Sequence, residues 1–183
     1  ASGGMMVPPP GYHKRTLEVC RKHDVIYISD EVVTGFGRLG HFFASEPVFD
    51  IVPDILTCAK GLTSGYLPLA ATIISDRLYD QVEGENAGGQ SFSNGYTYSA
   101  HPLACAAGLA TLDIYREEGL FERARAMEPK WADAVMALRK EPNVVDIRTV
   151  GITAGIDLAP NKEGPGKRGF EAPRSEGHRA EPQ

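Results

Sequence analysis

The chain of 183 residues carries 24 acidic against 19 basic side chains, a formal charge of −5, with 42% hydrophobic and 23% charged residues. That length allows one ordinary domain or one domain with part of another, and that composition buries a core, which excludes a natively unfolded chain. An acidic balance without a basic stripe excludes a nucleic-acid binder, and no apolar run reaches the roughly 20 residues that span a bilayer, so neither nucleic acid nor membrane is an expected partner.

Residues 1–11, ASGGMMVPPPG, read as loop. From Tyr12 to His23 a helix is predicted, with Tyr12, Leu17 and Cys20 on one face and Lys14, Arg15, Arg21 and Lys22 outside it. VIYIS at 25–29 reads as a short buried strand, ILTCA at 55–59 as a second and AATIIS at 70–75 as a third. A short helix over 76–82 leads into a polar, glycine-rich loop through Ala100. Pro102 suits the first turn of a helix to Glu118, apolar nearly all round and therefore expected to be buried, with Gly119 as its stop. A second, amphipathic helix is predicted over 120–140, with Leu120, Ala124, Met127, Trp131, Val135 and Leu138 on or near one face. Residues 144–158 alternate as strands of a half-exposed sheet. The last stretch, 160–183, has Phe170 as its only large apolar residue and reads as a disordered tail.

Helix–strand alternation with continuous apolar strands predicts an α/β fold, a mostly parallel sheet covered by helices, followed by the start of a smaller α+β unit. The three cysteines, Cys20, Cys58 and Cys105, form no C-x-x-C pair. With no signal segment after Ala1, they suggest a reduced, cytoplasmic protein.

Chemistry is expected first at Asp30-Glu31, directly after the first strand. In a parallel sheet, ligands sit outside the carboxyl ends of the strands, although a strand-end acid also serves simply to cap a turn. A nucleotide hydrolase would need a G-x-x-x-x-G-K-[ST] loop. The nearest approach, Gly166-Lys167, has Asn161 in place of the first glycine and Arg168 in place of Ser/Thr, and fails. Lys60 ends the second strand, where a partly desolvated amine could act as a nucleophile; the bland reading is a side chain that reaches out to solvent. Together they form the couple that pyridoxal phosphate requires, a lysine for the Schiff base and a carboxylate to keep the pyridine nitrogen protonated. Cys20 and His23 lie three apart, but two ligands do not make a metal site.

SDEVVTGFGR at 29–38, CAKGLTSGYLP at 58–68 and GYTYSAHPLACAAG at 95–108 resemble, in order and spacing, the class III pyridoxal-phosphate-dependent aminotransferases. The resemblance runs from Ala1 to about Lys162, and its wording is closest to the ω-amino acid or amine:pyruvate branch rather than the ornithine or GABA branches. It implies a fold-type I transferase and a ping-pong transamination through a Lys60 Schiff base, with pyruvate as the expected acceptor from an amine donor. Lys60 would be catalytic. Asp30 would pair with the pyridine nitrogen, and Val32 would pack on one ring face if it is not a plain core valine. Thr97 would reach across a homodimer interface to the neighbouring subunit's cofactor phosphate, if it is more than a turn residue. His101 reads as a helix-start residue and Arg38 as a structural ion-pair partner.

Family subunits are more than twice this long. The resemblance places the phosphate-cradling loop and a ring-stacking aromatic upstream of this stretch, and a substrate-binding arginine downstream. The chain is therefore expected to be truncated at both ends. Residues 1–118 would be the second half of the large cofactor-binding domain, with 102–118 as its connecting helix; 119–160 would start the small domain and 161–183 form the tail. The alternatives are a catalytically incompetent piece that serves only to associate with a full-length subunit, or another class III aminotransferase, of the ornithine or GABA kind.

Overall fold

The computed structural model describes residues 4–83, 88 and 95–159, and within them the elements follow the predicted order. Helix α1 spans Tyr12–Lys22, and its last turn places Arg21 and Lys22 at the helix's negative end. Strand β1, Ile28–Asp30, pairs in parallel with β2, Ile55–Cys58, in the register Ile28 to Ile55 and Asp30 to Thr57. Strand β3, Ala71–Ile74, runs antiparallel to β2, so the sheet order is β1-β2-β3 with one parallel and one antiparallel pairing. The paired register starts at Ile28, later than the predicted run, because the Val25 N–H turns back to the Cys20 carbonyl at 2.8 Å, while the Tyr27 carbonyl accepts the Asp54 and Ile55 N–H groups at 3.0 and 3.2 Å. Only β2 is buried in the predicted way, through Leu56 and Cys58; β3 is exposed along its whole length and Ile28 in β1 is 58% exposed. A central strand has neighbours on both edges and a covered face, whereas β3 stays exposed and β1 is covered only at Ser29, whose hydroxyl lies 2.8 Å from that of Ser45.

Asp54 holds this sheet to its surroundings. It is 2% exposed and accepts hydrogen bonds from the Tyr27 N–H at 2.8 Å, the Arg21 guanidinium at 2.5 Å and the Arg77 guanidinium at 2.8 Å. Those donors come from the approach to β1, from α1 and from the short helix α2, Asp76–Val82. Burial alone would push the carboxyl up, but Arg21, the Tyr27 N–H and Arg77 outweigh it and hold its pKa at about 2. A depressed carboxylate pKa contributes stability above the unfolded value near 4, and that contribution is lost as pH falls through the folded value. Acid unfolding followed by circular dichroism should therefore show a loss of roughly 2 kcal/mol between about pH 4 and pH 2. An Asp54→Asn chain should start less stable and show a flatter dependence over the same interval.

Behind the sheet lies a core of Phe36, Leu56 and Cys58, packed by Phe43, Leu62, Leu112 and Tyr115. The last two belong to α3, Pro102–Glu117, which starts with Pro102 in its first turn and His101 before it, as predicted. The prediction that α3 is buried all round is not met: Ala104, Gly108 and Thr111 are buried, whereas Leu103 and Leu109 are more than 60% exposed. The packed face consists of those small residues together with Leu112 and Tyr115, and a Cβ on Gly108 would already stand 3.1 Å from Leu69. Gly119, at φ 58°, turns the chain into α4, Leu120–Ala137, which buries Ala124 and Val135 and leaves the rest of the predicted stripe partly open. Strands β4, Val144–Val150, and β5, Thr153–Leu158, form a separate antiparallel hairpin, held across its face by Arg148 with Asp146 and Asp157. The hairpin is tied back by the Ile152 N–H to the Arg38 carbonyl at 3.0 Å. Among the described residues no helix is long and apolar enough to cross a membrane. The predicted tail and the Gly166-Lys167 pair lie outside the described residues.

Candidate active site

Because β1 and β2 run parallel, their carboxyl ends open on one edge of the sheet. Asp30 is the last residue of β1, opposite Thr57, and Lys60 follows Thr57 by three positions at the start of a 3₁₀ turn over Lys60–Leu62. Both predicted chemical groups thus reach the same edge. One oxygen of Asp30, Oδ1, accepts the Val32 N–H at 3.0 Å, an Asx-type turn that fixes the carboxylate against its own backbone. The other oxygen has no partner among the described residues. Val32 is half-buried beside it. The Lys60 amine also lacks a partner there, and its side chain is exposed, which differs from the partial desolvation expected of it. Its backbone takes φ 42°, a left-handed conformation that a residue with a Cβ adopts only when its surroundings enforce it.

Thr97 lies in an exposed turn over 97–100, which the Tyr96 N–H closes from the preceding residue by reaching the Ser99 hydroxyl at 3.0 Å. It makes no hydrogen bond to Asp30 or Lys60. Arg38 is exposed and has no ion-pair partner among the described residues; its carbonyl accepts the Ile152 N–H at 3.0 Å. Cys20 and His23 gain no third ligand, and no group of three possible metal ligands occurs among the described residues. Concavities of about 460 and 360 Å³ lie near Pro8–Lys14 and near His41–Pro47, and neither is lined by Asp30 or Lys60. Among the described residues, the edge that carries Asp30 and Lys60 is an open surface.

Three residues around this edge do work that the sequence pattern did not assign. Glu31, next to the exposed Asp30, is only 1% exposed. Its Oε2 accepts the Ala44 N–H and the Thr34 hydroxyl, both at 2.9 Å, while its Oε1 accepts the Ser45 N–H at 2.7 Å and the Ser45 hydroxyl at 2.6 Å. Its own N–H continues the ladder to Thr57 at 2.8 Å. Glu31 therefore staples the loop that leaves Asp30 back onto the chain fourteen residues later. Phe36, inside that loop, is buried at φ 56° and lies so close to Gly61 that a Cβ there would stand 2.6 Å from the Phe36 Cβ. Tyr115, on α3, donates its hydroxyl hydrogen to the Gly61 carbonyl at 2.7 Å. The adjacent carboxylates have divided their tasks, one buried as scaffold and one left free at the edge.

The Aminotransferase class-III family matches residues 1–177, which carries the likeness past Lys162, where the visible resemblance ends. The chain is 48% identical over 171 residues to an omega-aminotransferase of Caulobacter vibrioides, covering 93% of this chain and 38% of that protein. It is 43% identical over 175 residues to a beta-alanine–pyruvate aminotransferase of Pseudomonas aeruginosa, with the same coverages. The crystal structure of an (S)-enantioselective omega-transaminase from Thermomicrobium roseum superposes with a TM-score of 0.79 at 38% identity, covering 88% of this chain and 35% of that one. This chain spans about 38% of the length of the curated relatives it matches.

Proposed function

From the premise that this chain belongs to the class III aminotransferase family, we propose that the Asp30–Lys60 edge is its cofactor site and serves transfer of an amino group from an ω-amino acid or amine to pyruvate. The family is pyridoxal-phosphate-dependent and of fold type I. The observation that carries the reading is the unpartnered carboxylate oxygen and the unpartnered amine on one sheet edge. That donor set suits a cofactor with a protonatable ring nitrogen and an aldehyde. When bound, pyridoxal phosphate supplies an electron sink that stabilises negative charge at the substrate Cα.

The chain's own residues do the rest. Asp30 offers its free oxygen as acceptor for the protonated ring nitrogen, a charge-assisted hydrogen bond, while the Val32 N–H keeps the carboxylate oriented. Lys60 provides the nucleophilic amine that holds the cofactor and then carries a proton to and from the substrate Cα. Val32, half-buried beside Asp30, would pack against one face of the ring. Thr97 serves the cofactor phosphate of a second copy, so the working form is a homodimer or larger. The boundary between large and small domains falls near Gly119. Three free cysteines favour a cytoplasmic setting.

Incubating the chain with pyridoxal phosphate, β-alanine and pyruvate, and measuring alanine by chromatography, tests this function. Alanine should accumulate, and Lys60→Ala should abolish it; a folded, cofactor-loaded chain that forms none would contradict the proposal. The exposed Leu103 and Leu109 and the exposed Tyr96 and Tyr98 favour a second reading, in which this stretch serves only to associate with another subunit. Under that reading, gel filtration shows association without alanine formation.

A further inference from the structure

We propose that Tyr115 is a positioning residue that sets the lysine turn against the loop leaving Asp30, an inference that rests on the reading of Lys60 as the reactive amine. A left-handed backbone at a residue with a Cβ persists only where its neighbours over-determine it. Lys60 sits at φ 42° and Ser64, at the far side of the same turn, at φ 51°. Within the turn, the Leu62 N–H reaches the Ala59 carbonyl at 3.0 Å and the Thr63 N–H reaches the Lys60 carbonyl at 3.3 Å. From outside it, the Tyr115 hydroxyl donates to the Gly61 carbonyl at 2.7 Å and lies 3.2 Å from the Ser64 hydroxyl. One phenol thereby grips both arms of the turn that starts with Lys60.

The same ring stacks on Phe36, with centroids 6.1 Å apart and planes 18° from parallel, and on Phe121 at 5.4 Å. Phe36 belongs to the loop that Glu31 closes, six residues after Asp30, and it presses on Gly61 where no side chain fits. Tyr115 therefore couples the segment that bears the amine to the segment that bears the carboxylate. A plain core filler would need the ring; only a clamp needs the hydroxyl.

Tyr115→Phe keeps the ring and removes the hydroxyl, whereas Tyr115→Leu removes both. Two quantities are read on the full 183-residue chain: amide hydrogen exchange at Leu62–Ser64, and the pH profile with which pyridoxal phosphate is fixed on Lys60 by borohydride. Tyr115→Phe should leave the unfolding midpoint nearly in place, speed exchange in the turn by about tenfold, and move the pH profile at Lys60. Tyr115→Leu should exaggerate both changes. If it does not fold, Ser64→Ala provides the second comparison and should change exchange in the same direction, by less. Exchange and pH profile of Tyr115→Phe indistinguishable from the parent would overturn the proposal. If the parent itself fixes no cofactor on Lys60, the functional reading fails, and exchange alone then decides whether Tyr115 sets the turn.

Discussion

Replacing Glu31 with alanine is expected to lower the stability of the chain by about 4 kcal/mol, read as a shift of the urea midpoint. The carboxylate takes four hydrogen bonds at 2.6–2.9 Å, two of them from the backbone N–H groups of Ala44 and Ser45. Ala44 is fully buried, so its N–H finds no water when Glu31 is gone. Glu31→Gln keeps the volume but loses the charge and puts an amide donor where donors already converge, so it should sit between parent and alanine. A midpoint unchanged in Glu31→Ala would mean that the loop over residues 31–45 is held by something other than this staple.

The neighbouring substitution, Asp30→Ala, should give the opposite pattern. Its side chain is exposed and makes one hydrogen bond, to the Val32 N–H, so the urea midpoint should hardly move. Affinity for pyridoxal phosphate should instead fall about 10- to 100-fold, the loss expected for one hydrogen bond to a charged group. Two carboxylates adjacent in sequence would then be separated by their readouts. Equal affinity in Asp30→Ala and the parent would remove Asp30 from the site.

That contrast also marks how far the sequence could be read. Asp30 and Lys60 were legible because a short apolar strand ending in a polar residue marks a carboxyl edge, and two such strands in parallel bring their ends together. Glu31 stands beside Asp30, but apart from the Thr34 hydroxyl its partners are the Ala44 N–H and the N–H and hydroxyl of Ser45, more than a dozen residues away, which no spacing rule reveals. Tyr115 was hidden differently: helical periodicity places it on α3 without saying that the Lys60 turn lies beneath it. The same limit explains α3 itself, since periodicity measures how apolar a face is and not whether anything packs there. Strand β3 shows a further gap. The twelve residues between Cys58 and Ala71 are long enough for a parallel crossover or an antiparallel return, and composition does not choose between them. The antiparallel outcome rests on pairing that only the structure displays.

The central claim is that the amine at this sheet edge, and no other lysine of the chain, takes the cofactor. Fixing pyridoxal phosphate with borohydride and mapping the modified peptides by mass spectrometry tests it most directly. A single dominant label is expected on Lys60, absent from Lys60→Ala while that variant keeps the parent's circular dichroism. Label spread over Lys14, Lys22 and Lys130, or undiminished in Lys60→Ala, would contradict it.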